Sequence, residues 1–314
     1  MCLPKRLLFI ILIGLSFLLS IRPSLAETSL TVPPQYGEVI YRFNEKSLNQ
    51  IFIIGISHRD ALTRLNGDNT SRVQAEVYKI GDWLIHSQRL ELLLPEGFFK
   101  SKIAKVEKEN INPAGRESSC ASLDMKVLEE RLSDNKIYVN AEMLLKETHP
   151  LRLRQIEDEE LYEAVRANIL KLVSTKDHAF DYPQLSSELE YLQERRTAAM
   201  LQNIPEIVDG EFQQGHIKSR KAIFTVGMYH IHEIIRYLDT NRIIIHLPNS
   251  ASKGTKDFDT ELNLSKENFG VSVILPRTLA DDQKILEINK LDGTVRQSRA
   301  QTSPLSSLTF PRHP

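Results

Sequence analysis

Two histidines carry the strongest chemical signal in this chain, because each ends the same phrase. Residues 51–58 read IFIIGISH and residues 223–230 read IFTVGMYH. Ile51, Phe52, Gly55 and His58 match Ile223, Phe224, Gly227 and His230, offset by 172 residues. An imidazole can ligate a metal or act as a general base near neutral pH. Glu96 closes a third apolar run, RLELLLPEG at 89–97. Together the three side chains would form a His-His-carboxylate set, which suits a divalent metal such as Mn, Co or Zn with positions left open. Without a metal, Glu96 could instead orient a histidine or act as a base toward water. Each residue also has a plain structural use, as a hydrogen-bonding group where a strand ends.

Arg195 is the candidate for holding negative charge on a substrate, since guanidinium offers fixed bidentate donors. On a helix its neighbours three and four positions away are Tyr191, Leu192, Ala198 and Ala199, none of them acidic. Tyr229 is a candidate proton donor or haem contact. His230 and His232 would point opposite ways on a helix, with Glu233 beside them. Glu91 reads as a surface or edge residue. His86, His149, His178, His216, His246 and His313 show no partner spacing and read as structural or surface groups. Cys120 sits in a polar SSCAS stretch without a basic neighbour, a poor setting for a nucleophile. The chain has no G-x-S-x-G elbow, H-E-x-x-H helix, P-loop or dinucleotide-binding fingerprint.

These side chains need a scaffold that delivers them to one place. EVIYRF (38–43), IFIIG (51–55), LELLLP (90–95), AIFTVG (222–227), RIIIHLP (242–248) and VSVILP (271–276) read as strands, the first two as a hairpin or as neighbours. KIYVN (136–140) reads as a short strand. Val73, Val77, Ile80 and Leu84 fall at helical spacing within 60–87, and 120–132 is helical as well. Residues 141–207 are helical almost throughout, with Leu185, Leu189, Leu192, Ala199, Met200 and Ile204 on one face of a long helix. A polar loop fills 249–268. Strands alternating with helices at both ends argue for an α/β fold with a central, mostly parallel sheet. Two half-repeats would build the sheet around a helical insertion. Ligands in such sheets bind at the carboxyl ends of the strands. The Gly of each phrase is expected to allow a sharp turn off its strand.

At these residues the chain resembles the TraB/TIKI/pheromone-shutdown superfamily, which is related to erythromycin-esterase-like and ChaN-like proteins. Gly55 and His58 match the first GxxH, Gly227 and His230 the second, and Glu96 the Glu that closes the intervening strand. Arg195 matches the arginine of an E-R-N-like phrase, which here reads Glu194-Arg195-Arg196 and so lacks the Asn. The resemblance spans roughly residues 38–276 and implies a site at the junction of the half-repeats. It implies His58, Glu96 and His230 as metal ligands or proton relays, with Arg195 beside them. Some relatives resemble metal-dependent peptidases and some are metal-free esterases. ChaN-like ones bind haem, for which Tyr229 would serve as a ligand.

Lys5 and Arg6, then an apolar run from Leu7 to Leu19, then Ser24-Leu25-Ala26, form a cleavable leader ending at Ala26. The run is shorter than the roughly 20 residues a spanning helix needs. Cleavage would remove Lys5, Arg6 and Arg22 from the 40 basic residues and nothing from the 41 acidic ones. The resulting slight negative balance does not support binding to nucleic acid or to an anionic membrane. Cys120 would be the only cysteine left, too few for an internal disulfide, so stability must come from a core. Residues 27–290 are expected to form one domain, and 291–314, rich in Ser, Thr, Pro and Gln, a disordered tail. The expectation is a secreted or periplasmic hydrolase-like protein acting on a peptide or ester. The alternatives are a haem- or metal-binding protein, or an inactive relative serving as a scaffold.

Overall fold

The structure is a computed structural model and describes residues 30–57, 67, 69–99, 124–133, 140–174, 182–248 and 256–302. The leader, His58, Cys120, residues 136–139, His178 and His313 lie outside the described residues.

The fold is α/β around a six-stranded sheet. Its order is β1 (Gly37–Phe43), β8 (Phe269–Pro276), β2 (Asn49–Ile56), β5 (Lys221–Gly227), β3 (Leu92–Pro95) and β4 (Arg152–Leu153). Only the β1–β8 pair is antiparallel. The two phrases lie on neighbouring parallel strands, with Ile51 beside Ala222 and Ile56 beside Gly227. β8 separates β1 from β2, so those two strands do not form a hairpin. A sequence run marks a strand but not its partner, and β8 is covered on both faces, as all eight of its residues are buried.

Helix α1 (Thr70–Gln88) buries Val73, Val77, Ile80 and Leu84 completely, the stripe its periodicity requires. After the short helix α2 (Met125–Ser133), the helical middle contains α3 (Ala141–Thr148), α4 (Glu159–Ser174) and α5 (Tyr182–Gln213), interrupted by edge strand β4. Two expectations change beyond this region. Strand β6 (Arg242–His246) pairs with β7 (Lys256–Glu261), inside the expected polar loop, as a separate two-stranded sheet. The segment expected to be a disordered tail begins with a helix, Asp292–Thr302. That helix has few apolar residues, but buried Val295 anchors it. Ser298 also donates to the Val39 carbonyl (2.8 Å), and Arg299 pairs with Glu38 (3.0 Å). No described helix is long and apolar enough to cross a membrane.

Candidate functional site

The site begins where three parallel strands end. β3 closes at Pro95, and the chain turns through Glu96 and Gly97. Gly97 has φ +75°, a left-handed turn that glycine adopts without steric cost. β5 closes at Gly227, which is also the N-cap of α6 (Met228–Thr240). Ile231, Ile234, Ile235 and Leu238 hold α6 against the sheet, so His230 sits on its first turn. α5 contributes Gln193, Arg196 and Thr197 to the same place.

These elements enclose a buried polar cluster. Arg196 Nη2 donates to Glu96 Oε1 at 2.6 Å, and Arg196 Nε donates to Glu157 Oε1. The other oxygens of both carboxylates take backbone N–H groups at the strand ends: Gly227 donates to Glu96 Oε2, and Gly97 to Glu157 Oε2 at 2.7 Å. Tyr162 lies under the Arg196 guanidinium, 5.1 Å from ring centroid to Cζ. Burial alone would lower the Arg196 pKa, but Glu96 and Glu157 outweigh it and hold the group above its ordinary value. The cation therefore stays charged and fixes both carboxylates.

His230 is buried, with Nε2 3.5 Å from Glu96 Oε1 and Nδ1 2.6 Å from Thr197 Oγ1. The Thr197 hydroxyl donates its one hydrogen to the Gln193 carbonyl (2.9 Å). With that hydrogen on the Gln193 carbonyl, the Thr197 oxygen can accept from His230 Nδ1–H, the tautomer that leaves Nε2, beside Glu96, free to act as a base. A pocket of about 380 Å³ opens onto this pair. Ser57, Glu96, Gln193, Gly227 and Tyr229 line it, and Leu279, Ile285 and Asn289 reach it from the C-terminal segment.

The sequence-derived candidates fall into three groups. Glu96 and His230 meet, as their strand ends require. His58 lies outside the described residues, but Ser57, the residue before it, lines the same pocket. Tyr229 also lines the pocket and is half exposed. Burial, then Glu190, Glu233 and Glu194, raise its pKa. Arg195 does not join the cluster. It is exposed, with its guanidinium 5.7 Å from the Tyr191 ring centroid. Its neighbour Arg196, the residue standing where the Asn was expected, holds Glu96 instead. Glu157 and Thr197 had not been singled out at all. His232 is half-buried, and Glu233 pairs with Arg236. Glu91 precedes β3, and its carboxylate accepts from the Lys218 N–H at 2.6 Å.

The phrase glycines act differently from the expectation. Neither Gly55 nor Gly227 has a positive φ. Gly55 is needed for space: an added Cβ would lie 2.8 Å from Leu275 Cδ2 and 3.0 Å from Met228 Sδ.

Among the described residues, a three-donor group that could hold a metal lies elsewhere, at Asp82, His86 and His149. Comparison with family models, with curated proteins and with solved structures finds no match for this chain.

Proposed function

We propose that this chain is an exported hydrolase of the TraB/TIKI type, cutting an ester or amide bond with Glu96 and His230 and without a metal at that pair. The carrying observation is the buried contact of His230 with Thr197 at Nδ1 (2.6 Å) and with Glu96 Oε1 at Nε2 (3.5 Å), at the wall of the pocket. Nε2 would take a proton from a water in the pocket. The resulting imidazolium would be stabilised by the adjacent carboxylate. The water oxygen would attack the carbonyl carbon, and the proton on Nε2 would pass to the leaving group. The N–H groups of the first turn of α6 have no partners within the helix and belong to residues lining the pocket, so they suit the oxyanion. Arg196 acts as a positioning residue, since both its carboxylate partners already occupy it.

The described residues fit a metal at this pair poorly. The Glu96 oxygen nearest His230 already accepts from Arg196 at 2.6 Å, so a cation bound there would face a guanidinium.

Export rests on the leader pattern of residues 1–26. The reading is tested with a panel of aryl esters and short peptides, assayed with and without chelator. Turnover that persists in chelator supports it. Turnover that vanishes with chelator and returns with Mn, Co or Zn favours a metal hydrolase. No turnover across the panel favours an inactive scaffold.

A further inference from the structure

A second polar cluster sits away from the pocket, where α1 meets the end of α3. Asp82 and His86 lie one turn apart on α1, and His149 caps the C-terminus of α3. His149 Nε2 is 2.9 Å from Asp82 Oδ1, and His86 Nδ1 is 3.3 Å from the same oxygen and 2.8 Å from the Asp82 backbone carbonyl, a bond that a metal would replace. One donor atom from each residue falls within 4.8 Å of the other two. None of the three lines the Glu96–His230 pocket.

The surrounding hydrogen bonds fix the His149 ring. Thr148 Oγ1 donates to the Leu144 carbonyl (2.8 Å) and accepts from Tyr78 (3.1 Å). Its remaining lone pair takes His149 Nδ1–H at 2.9 Å, and the Leu145 carbonyl lies 3.3 Å from the same nitrogen. A neutral His149 therefore turns the lone pair of Nε2 toward the Asp82 carboxylate. Two electron pairs facing each other at that distance repel unless a proton or a metal ion lies between them. Orientation of a histidine through its second nitrogen is also how metal-ligating imidazoles are held. The spacing suits a tetrahedral ion: Zn–N bonds of about 2.0–2.1 Å place ligand atoms about 3.3 Å apart. His86 is mostly exposed and can adjust to complete the set, leaving a position for water.

We propose that Asp82, His86 and His149 form a binding site for a divalent zinc-like ion that clips α1 to the end of α3. Two borderline imidazoles beside one hard carboxylate favour Zn over Mg or Ca. The ion would replace the proton otherwise shared by His149 and Asp82, and its release would leave the ordinary His–Asp contact. The site is independent of the hydrolase reading.

The test is calorimetric titration of the full chain with Zn(II), after stripping with chelator, alongside thermal melts. The wild-type chain is expected to take up Zn and melt at a higher temperature with it than without. His149→Gln and Asp82→Asn should each weaken binding at least about tenfold and abolish the shift. The exposed His86→Gln, which leaves the α1–α3 packing intact, should weaken binding without altering the metal-free melt. Glu96→Gln should bind like wild type. The proposal is overturned if the wild-type chain takes up no Zn, or if uptake survives all three substitutions. It is likewise overturned if Glu96→Gln abolishes uptake while His149→Gln keeps it.

Discussion

Arg196 and Glu96, 100 residues apart in sequence, meet at 2.6 Å with both side chains nearly closed to solvent. The same guanidinium holds Glu157, whose side chain is wholly buried. One cation on α5 thus fixes the turn after β3 and the loop after β4, and through Glu96 the start of α6. Removing it would leave two carboxylates without their counter-charge. Arg196→Met is expected to cost about 3–5 kcal/mol, because an uncompensated buried charge is far worse than a missing pair. Arg195→Ala, one residue away, should stay within about 0.5 kcal/mol of wild type. Urea denaturation followed by circular dichroism measures both. Equal effects would mean that the cluster contributes nothing to stability.

Gly55 gives a packing prediction. Gly55→Ala would push a methyl group into Leu275 and Met228 on the faces that join β2, β8 and α6. The expected loss is about 1–3 kcal/mol from overpacking, seen as a lower Tm. Gly97→Ala should cost about 1–2 kcal/mol for a different reason: the space is open but the backbone is left-handed.

Glu211 gives a pH prediction. It joins α5 to β4 by accepting from Arg152 at 2.7 Å and from Arg154. Burial pushes its pKa up, but the bonds from Arg154 and Arg152 outweigh burial and leave it below its ordinary value. A carboxyl lowered on folding stabilises the fold above its unfolded pKa, about 4.3 for Glu, and loses that contribution as pH falls through the folded value. Glu211→Gln should therefore be less stable than wild type by about 1–3 kcal/mol at pH 7. The gap should shrink as pH drops below the ordinary carboxylate range. A gap that stays constant from pH 7 to acid would assign the loss to packing alone.

Much of this fold was legible in the chain. β2, β5 and β8 are buried on both faces, so they read as nearly continuous apolar runs, broken only by residues such as Thr225 and Ser272. α1 packs one face, so it reads as a stripe. The repeated phrase located two adjacent strand ends, and the proline-glutamate end of β3 supplied the third. The choice between two adjacent arginines turned on helical phase. Leu192, Arg196, Met200 and Ile204 are four residues apart, so Arg196 lies on the inward stripe and Arg195 does not. That signal was present in the sequence, though the E-R-N-like phrase pointed one residue early. Glu157 was not legible: it lies in an irregular segment before α4, and only its partners reveal it. Asp82 and His86 have helical pairing distance, but His149 joins them through tertiary packing 67 residues away.

The position of His230 also decides which substitution there is informative. A histidine at an open cleft mouth could be replaced at little cost, but this one is buried and bonded to Thr197. His230→Gln is therefore preferred to alanine as a probe, with circular dichroism to verify folding.

The most direct measurement is the hydrolysis rate of the best ester or peptide substrate in chelator, for wild type, His230→Gln, Glu96→Gln and the double variant. Each single variant should lose roughly a hundred- to ten-thousand-fold, the range for removing a general base. The double variant should be little worse than either, because the two groups act as one unit. Folded His230→Gln and Glu96→Gln proteins that keep the full wild-type rate would contradict the account.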